Sequence, residues 1–294
     1  MSGNEGKAAD SRKAGRTARE GIARHYADVA RAAAGAAGAT STAAPSAPCC
    51  CEPAAAGEAF SLYAREVLAG LPARALAASR GCGDPVARAN LQAGERVLDL
   101  GSGGGIDALI AARLVGAHGH VWGLDMTPDM VKLARRNAAD AGIANVDFLE
   151  GGIERAPLPD ASMDVVISNC VINLCQDKAA ALAEARRVLA PGGRLVVSDI
   201  VALRPVPAGA YDDLCTLTGC VNGISSTDAY ERMLRACGFD RVAIEPKTVY
   251  TTEVLEEKAM RKGREAAFRR VAAQGGGGTC GSAIVFARVE EERC

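Results

Sequence analysis

The chain has 294 residues, with 34 Lys and Arg against 35 Asp and Glu and a formal net charge of −1. That length allows one large domain or a domain with an appendage, and the balance excludes the broad basic field of a non-specific nucleic-acid binder. Apolar residues make up 49%, enough to bury a sizeable core, and no run approaches the roughly 18 apolar residues of a membrane span. Cysteine is the unusual component. Eleven cysteines is an odd count for a secreted disulfide framework, and Met1 to Glu20 holds no apolar stretch, so the expectation is a reducing cytoplasm with free thiols. Only His25, His118 and His120 are available as imidazoles, too few for a His-rich metal centre.

In chain order, residues 1–57 read as a flexible N-terminal segment. Within it Thr17 to Ala34 has helical spacing (Ile22, Tyr26, Val29, Ala33), a capping-box pattern at Thr17 and Glu20, and a stop at Gly35. Gly35 to Pro48 reads as a linker ending in Cys49-Cys50-Cys51. Phe60, Tyr63, Val67 and Leu71 space as one amphipathic helix ending near Pro72. From there to residue 201 short β-branched runs alternate with helices. Strands are expected at Arg96–Leu100, His120–Leu124, Val146–Leu149, Val165–Ser168 and Leu195–Ser198. Helices are expected at Gly105–Val115, Pro128–Ala141 and Asp177–Leu189, the last stopped by the turn Ala190-Pro191-Gly192-Gly193. The strands are apolar on both faces, which predicts an α/β fold with a mostly parallel sheet in residues 58–201. Beyond Asp199 the alternation weakens. Helices Ala210–Leu217, Thr227–Ala236 and Glu253–Ala273 and strands Val242–Tyr250 and Ser282–Val289 predict a smaller α+β appendage over residues 202–294.

Where the first strand meets the first helix the chain runs Val97-Leu98-Asp99-Leu100-Gly101-Ser102-Gly103-Gly104-Gly105. Glycines there allow a sharp turn and bring N–H groups to a ligand at the positive end of a helix. A dinucleotide fingerprint wants a third glycine where this chain has Ile106, and no Lys-Ser/Thr follows to make a P-loop. Asp125 ends the second strand, 26 positions after Asp99, placed to accept bonds from ribose hydroxyls. Together these residues resemble the S-adenosylmethionine site of the Rossmann-like class I methyltransferases. The resemblance implies that Asp99 lies near the methionine amino end and that Gly101, Ser102 and Gly103 pass beneath it. Asp125 would hold the ribose, Met126 would cover the adenine face, and Ile153 and Glu154 would edge the adenine. Asn169, at the end of the fourth strand, completes the expected cofactor set.

Oxygen and amine acceptors need a base or a metal to take a proton, and no His or carboxylate dyad stands at the strand ends. The position bordering the methyl group in this fold is Cys170, in Ser168-Asn169-Cys170-Val171-Ile172-Asn173-Leu174-Cys175. Cys82 (Gly81-Cys82-Gly83-Asp84-Pro85) and Cys220 (Gly219-Cys220-Val221) also sit in glycine-marked loops, poor places for inert core filling. Three converging thiolates suit a soft centre such as trivalent arsenic, whose lone pair is nucleophilic without losing a proton. Cys175, Cys215 and Cys237 read as packing.

These cysteine contexts, with Tyr26-Ala27-Asp28-Val29-Ala30 and Cys49-Cys50, resemble the arsenite methyltransferases over about residues 24–250. The family implies methylation of arsenite in arsenic detoxification, with Cys82, Cys170 and Cys220 as the arsenic ligands and as the catalytic residues. One of Cys49, Cys50 or Cys51 is implied as an accessory thiol. The implied partners are arsenite or its thiol conjugates and a glutathione- or thioredoxin-type reductant. A monomer is expected, with no nucleic acid and no membrane. The alternative is an enzyme of the same fold acting on a small organic carbon or oxygen acceptor.

Overall fold

The computed structural model describes residues 3–35, 62–220 and 222–291, with side chains from residue 19 onward. Among the described residues four helices precede the sheet: α1 (Gly3–Ala34), α2 (Arg65–Leu68), α3 (Ala73–Ala78) and α4 (Pro85–Ala89). Strands and helices then alternate as β1 (Arg96–Leu100), α5 (Ile106–Val115), β2 (His120–Asp125), α6 (Pro128–Asp140), β3 (Val146–Glu150) and β4 (Met163–Asn169). They continue through α7 (Lys178–Val188) and β5 (Leu189–Ala202). The remainder is α8 (Tyr211–Thr218), the short β6 (Ser225–Ser226), α9 (Thr227–Ala236), β7 (Arg241–Val249), α10 (Thr252–Lys262), α11 (Glu265–Ala273) and β8 (Cys280–Arg288). No helix among the described residues is long and apolar enough to cross a membrane.

All the described strands share one sheet, ordered β3-β2-β1-β4-β5-β8-β7, with β6 beside β5. β1 through β5 run parallel, whereas β8 is antiparallel to both β5 and β7. This is the Rossmann-like architecture expected of residues 58–201. Side chains alternate across the sheet as strand geometry requires. Val97, Val121, Val165 and Val196 enter the core shared with α2–α6, and Leu98, Leu124, Val166 and Leu195 enter the one shared with α7 and α9. Both faces are buried, so these strands read as nearly continuous apolar runs. The chain order reverses between β1 and β4, and Leu100 pairs with both Leu124 and Ser168. The carboxyl ends of β1, β2 and β4 therefore finish side by side, the position at which open α/β sheets bind ligands.

Several expectations are corrected. α1 starts at Gly3, so Thr17 and Glu20 lie inside a helix rather than cap one. Nor is α1 loose: Val29, Ala30 and Ala33 pack on Ala78, Met130 and Leu133, and Arg31 pairs with Asp129 at 3.0 Å. The helix expected through Tyr63 shrinks to the four residues of α2, because the Tyr63 hydroxyl is drawn to Asp107 at 2.9 Å. Its first position, Phe60, lies outside the described residues. β5 begins at Leu189, with residues 190–193 looped out between the pairs Met163–Leu189 and Val165–Arg194 and Gly192 at φ +75°. The Glu253–Ala273 helix breaks at Gly263, whose φ of +61° ends α10. Finally, β7 and β8 complete the central sheet instead of forming an appendage. β8 hydrogen-bonds to β5 and β7 to β8, so a boundary at residue 202 would take away the β8 partner of β5.

Candidate functional site

The glycine loop turns from β1 into α5 in a conformation that side chains disfavour. Gly101 has φ +74°, and a Cβ there would stand 2.4 Å from the Val171 Cγ2, so only glycine fits. Gly101 and Ser102 donate their N–H groups to the Leu124 carbonyl at 2.7 and 3.0 Å, which ties the loop to β2. Asp125, at the end of β2, accepts from the Gly103 N–H at 2.9 Å and from the Thr127 N–H at 2.8 Å. Burial pushes its carboxyl up, against the pull of those two bonds. Ile106, where a dinucleotide site would have glycine, is the first residue of α5 and is buried.

A cavity opens at the carboxyl edge of the sheet. Gly101, Ser102, Gly103, Asp125, Met126, Ile153, Glu154, Asn169 and Cys170 all line it. Asp99 does not. It is buried behind the loop with one carboxyl oxygen unpartnered, and burial, then Asp107 and Asp125, raise its carboxyl well above the usual range. In its place Asp107, from the first turn of α5, faces the cavity alongside Asp125 and Glu154. Tyr63 donates to its Oδ1 at 2.9 Å, and Asn169 donates to its Oδ2 at 3.0 Å. Burial nonetheless pushes Asp107 up to about 7. Arg19, Ile22 and Tyr26 of α1, none of them a site residue expected from the sequence, also form the wall, reaching it from the N-terminal segment. Arg19 pairs with Glu154 at 3.6 Å. A backbone-lined loop, a carboxylate for hydroxyl groups and the apolar Met126, Met130 and Ile153 together fit S-adenosylmethionine. The unpartnered, buried Ser102 hydroxyl is a further polar atom that the ligand can satisfy.

Asn169 joins this cavity to the first cysteine loop. It accepts from the Cys82 N–H at 3.0 Å and donates to the Gly83 carbonyl at 2.8 Å. Gly81 has to be glycine, since a Cβ would stand 2.5 Å from the Asn169 Nδ2. Cys82 and Cys170, 88 residues apart, meet in a disulfide with Cα atoms 5.9 Å apart. Cys170 has φ +57°, a left-handed conformation uncommon for a side-chain-bearing residue and found where function holds the backbone in place. Its N–H donates to the Ser198 carbonyl at 2.8 Å.

The third predicted ligand, Cys220, is a buried free thiol that accepts from the Asn173 Nδ2 at 3.7 Å. It belongs to the apolar cluster of α8, α10 and α11 on which Cys82 and Cys170 also pack. Burial, then the charge of Asp199, pushes its thiol up to about 12. Among the described residues the group whose donor atoms all lie within 4.8 Å of one another is Cys82, Cys170 and Asp199, not the three sulfurs. In the sequence Asp199 marked only the point beyond which the alternation of strands and helices weakens. Asn173 and Lys178 left no mark there. Cys175 is buried on the cavity wall, Cys215 is buried and Cys237 half-buried. Cys49, Cys50 and Cys51 lie outside the described residues.

A family model described as a methyltransferase domain matches residues 91–238. The arsenite methyltransferase of Halobacterium salinarum is 46% identical over 181 residues, covering 62% of this chain and 46% of that protein. The arsenite methyltransferase of Aquipseudomonas alcaligenes is 42% identical over 187 residues, covering 60% of this chain and 54% of the relative. The chain thus spans about half the length of these curated relatives. The crystal structure of CrArsM, an arsenic(III) S-adenosylmethionine methyltransferase from Chlamydomonas reinhardtii, is similar with a TM-score of 0.55 and 34% identity. That match covers 82% of this chain and 74% of the other. With the glycine loop, Asp125 and the paired cysteines on the cavity wall, this likeness in sequence and structure makes the chain a member of the arsenite methyltransferase family.

Proposed function

We propose that the protein transfers methyl groups from S-adenosylmethionine to trivalent arsenic held by Cys82, Cys170 and Cys220, a step in arsenic detoxification. The observation that carries this reading is the meeting of Cys82 with Cys170, from loops 88 residues apart, at the wall of a cavity built from the glycine loop and Asp125. Among the described residues no histidine lines the cavity to take the proton of an oxygen acceptor.

In the reduced protein each thiol exchanges with an oxygen or thiol ligand of arsenic, and the thiol proton leaves with the departing group. This suits Cys220, which burial keeps protonated. S-adenosylmethionine supplies a methyl group on a positively charged sulfur. The arsenic lone pair bonds to that carbon as the carbon–sulfur bond breaks, and no proton has to be removed. The arsenic is then formally pentavalent. It regains two electrons when two of its thiolates leave joined as a disulfide, such as the Cys82–Cys170 pair. Two glutathione-type thiols, or one dithiol of the thioredoxin kind, return both thiols and are themselves oxidised to a disulfide. Cys49, Cys50 and Cys51 are proposed as accessory thiols in that exchange.

Arsenic speciation after incubation with arsenite, S-adenosylmethionine and excess thiol tests the reading. The protein should produce methylated arsenicals, and Cys82→Ser, Cys170→Ser and Cys220→Ser should each abolish them, since a hydroxyl is a hard substitute for a soft thiolate. Cys237→Ser should retain most of the activity. Methylation surviving loss of Cys220 would remove that residue from the ligand set.

A further inference from the structure

Asp199 is fully buried near the end of β5. Its Oδ1 accepts from the Ile200 N–H at 2.9 Å and from the Asn173 Nδ2 at 2.8 Å, whereas its Oδ2 has no hydrogen-bond partner. A buried carboxylate oxygen left without a partner is costly unless a positive group reaches it. The donor atoms of Asp199, Cys82 and Cys170 all lie within 4.8 Å of one another. The oxidised pair of sulfurs is a poor ligand, but the reduced pair is a strong one. Two thiolates on one tetrahedral cation, with metal–sulfur bonds of about 2.3 Å, stand roughly 3.8 Å apart. Cα atoms 5.9 Å apart permit that spacing by side-chain rotation. Two sulfurs and one carboxylate oxygen suit a thiophilic divalent ion and disfavour magnesium or calcium. Lys178 supplies compensating charge: its Nζ donates to the Asn173 Oδ1 at 2.8 Å, and the same Asn173 holds Asp199.

We propose that in the reduced protein Cys82, Cys170 and Asp199 form a binding site for a divalent cation of the zinc class, with one position left for water. The cation shares two sulfurs with the arsenic site, so the two should exclude one another. That exclusion rests on the proposed function, whereas cation binding itself does not. Opening the site is a two-electron reduction. A phosphine gives up two electrons, water supplies its oxygen and two protons, and phosphine oxide and two thiols result. Binding of the cation then releases the two thiol protons.

The experiment uses the full chain carrying Cys49→Ser, Cys50→Ser and Cys51→Ser, so that the N-terminal cluster cannot contribute. The protein is reduced with a phosphine, desalted without air and titrated with Co²⁺. One equivalent should give a thiolate-to-cobalt charge-transfer band with tetrahedral d–d bands, and one equivalent of Zn²⁺ should bleach both. Asp199→Asn should weaken Co²⁺ binding by roughly tenfold or more, and Cys82→Ser should remove the charge-transfer band. In protein of unaltered sequence, Zn²⁺ should protect Cys82 and Cys170, but not the half-buried Cys237, from iodoacetamide as read by mass spectrometry. This measurement does not depend on any variant folding. The proposal is overturned if the oxidised protein binds Co²⁺ equally well, if Asp199→Asn titrates like the parent, or if Zn²⁺ protects neither cysteine. Arsenite should displace the bound Co²⁺. Cobalt binding that arsenite leaves untouched would uphold the cation site and count against the arsenic ligand set, and methylation without any cation binding would do the reverse.

Discussion

Asp107 is buried at the cavity wall, with Tyr63 and Asn169 donating to its two oxygens, yet burial still pushes its carboxyl up to about 7. An unfolded Asp titrates near 3.9, so between those values the folded chain holds the proton more tightly than the unfolded one. The stability this group contributes is fully present below about pH 4 and is lost as pH rises through about 7. In the parent, this adds a downward slope of at most about 1.4 kcal/mol per pH unit. Asp107→Asn removes the titration. Calorimetry at constant ionic strength should therefore find a shallower loss of stability between pH 5 and 8 in the variant, and equal slopes would refute the assignment. None of this was legible in the sequence, where Tyr63 spaced as one position of an amphipathic helix and Asp107 was not singled out. The two are 44 residues apart, and only packing brings them together.

At the scale of the element, α4 shows why short helices need outside support. Five residues cannot repay helix nucleation alone. Asp84 caps the helix, accepting from the Ala87 N–H at 2.9 Å, and Pro85 supplies the first helical position. At the other end Arg194 of β5 donates to the Ala89 carbonyl at 2.7 Å and the Asn90 carbonyl at 3.0 Å while paired with Glu95. Cys82 lies just before this helix, so its position depends on the cap. Asp84→Ala should cost about 1 kcal/mol, seen as a lower melting temperature. It should also make the Cys82–Cys170 disulfide easier to reduce, measured by thiol alkylation in glutathione buffers of graded potential. An unchanged reduction midpoint would show that the loop is held by Asn169 alone. Elements with strong local signals came out of the sequence as they stand in the structure. β1 and α9 have the predicted limits, α9 with Ser226 accepting from the Ala229 N–H. Where a side chain had a better partner elsewhere, as Tyr63 does, helical spacing misled.

For the whole molecule, the packing of α1 changes what the N-terminal segment does. It buries Val29, Ala30 and Ala33 against α3 and α6 and brings Arg19, Ile22 and Tyr26 to the cavity. Deleting residues 1–34 should therefore weaken S-adenosylmethionine binding by roughly tenfold or more, the effect of losing one well-buried side chain's worth of contact. Isothermal titration against the full chain measures it, and an unchanged Kd would mean that the cavity is complete without α1.

The alternation of strands and helices, the glycine loop and the acid ending β2 were readable from sequence alone, because each rests on chemistry acting over a few neighbouring residues. Apolar runs mark strands with two buried faces, and Gly101 answers a backbone demand of its own turn. Which sulfurs meet, and which acids face the cavity, depended on strand order. β4 lies between β1 and β5, which sets Cys170 against Ser198 and Asp199 and brings the Cys82 loop to Asn169. Cys220 had a glycine-marked context as clear as that of Cys82, yet among the described residues the fold joins Cys82 to Cys170 and leaves Cys220 a free thiol. Contacts between residues tens of positions apart follow from the register and packing of whole elements, and spacing along the chain carries no record of them.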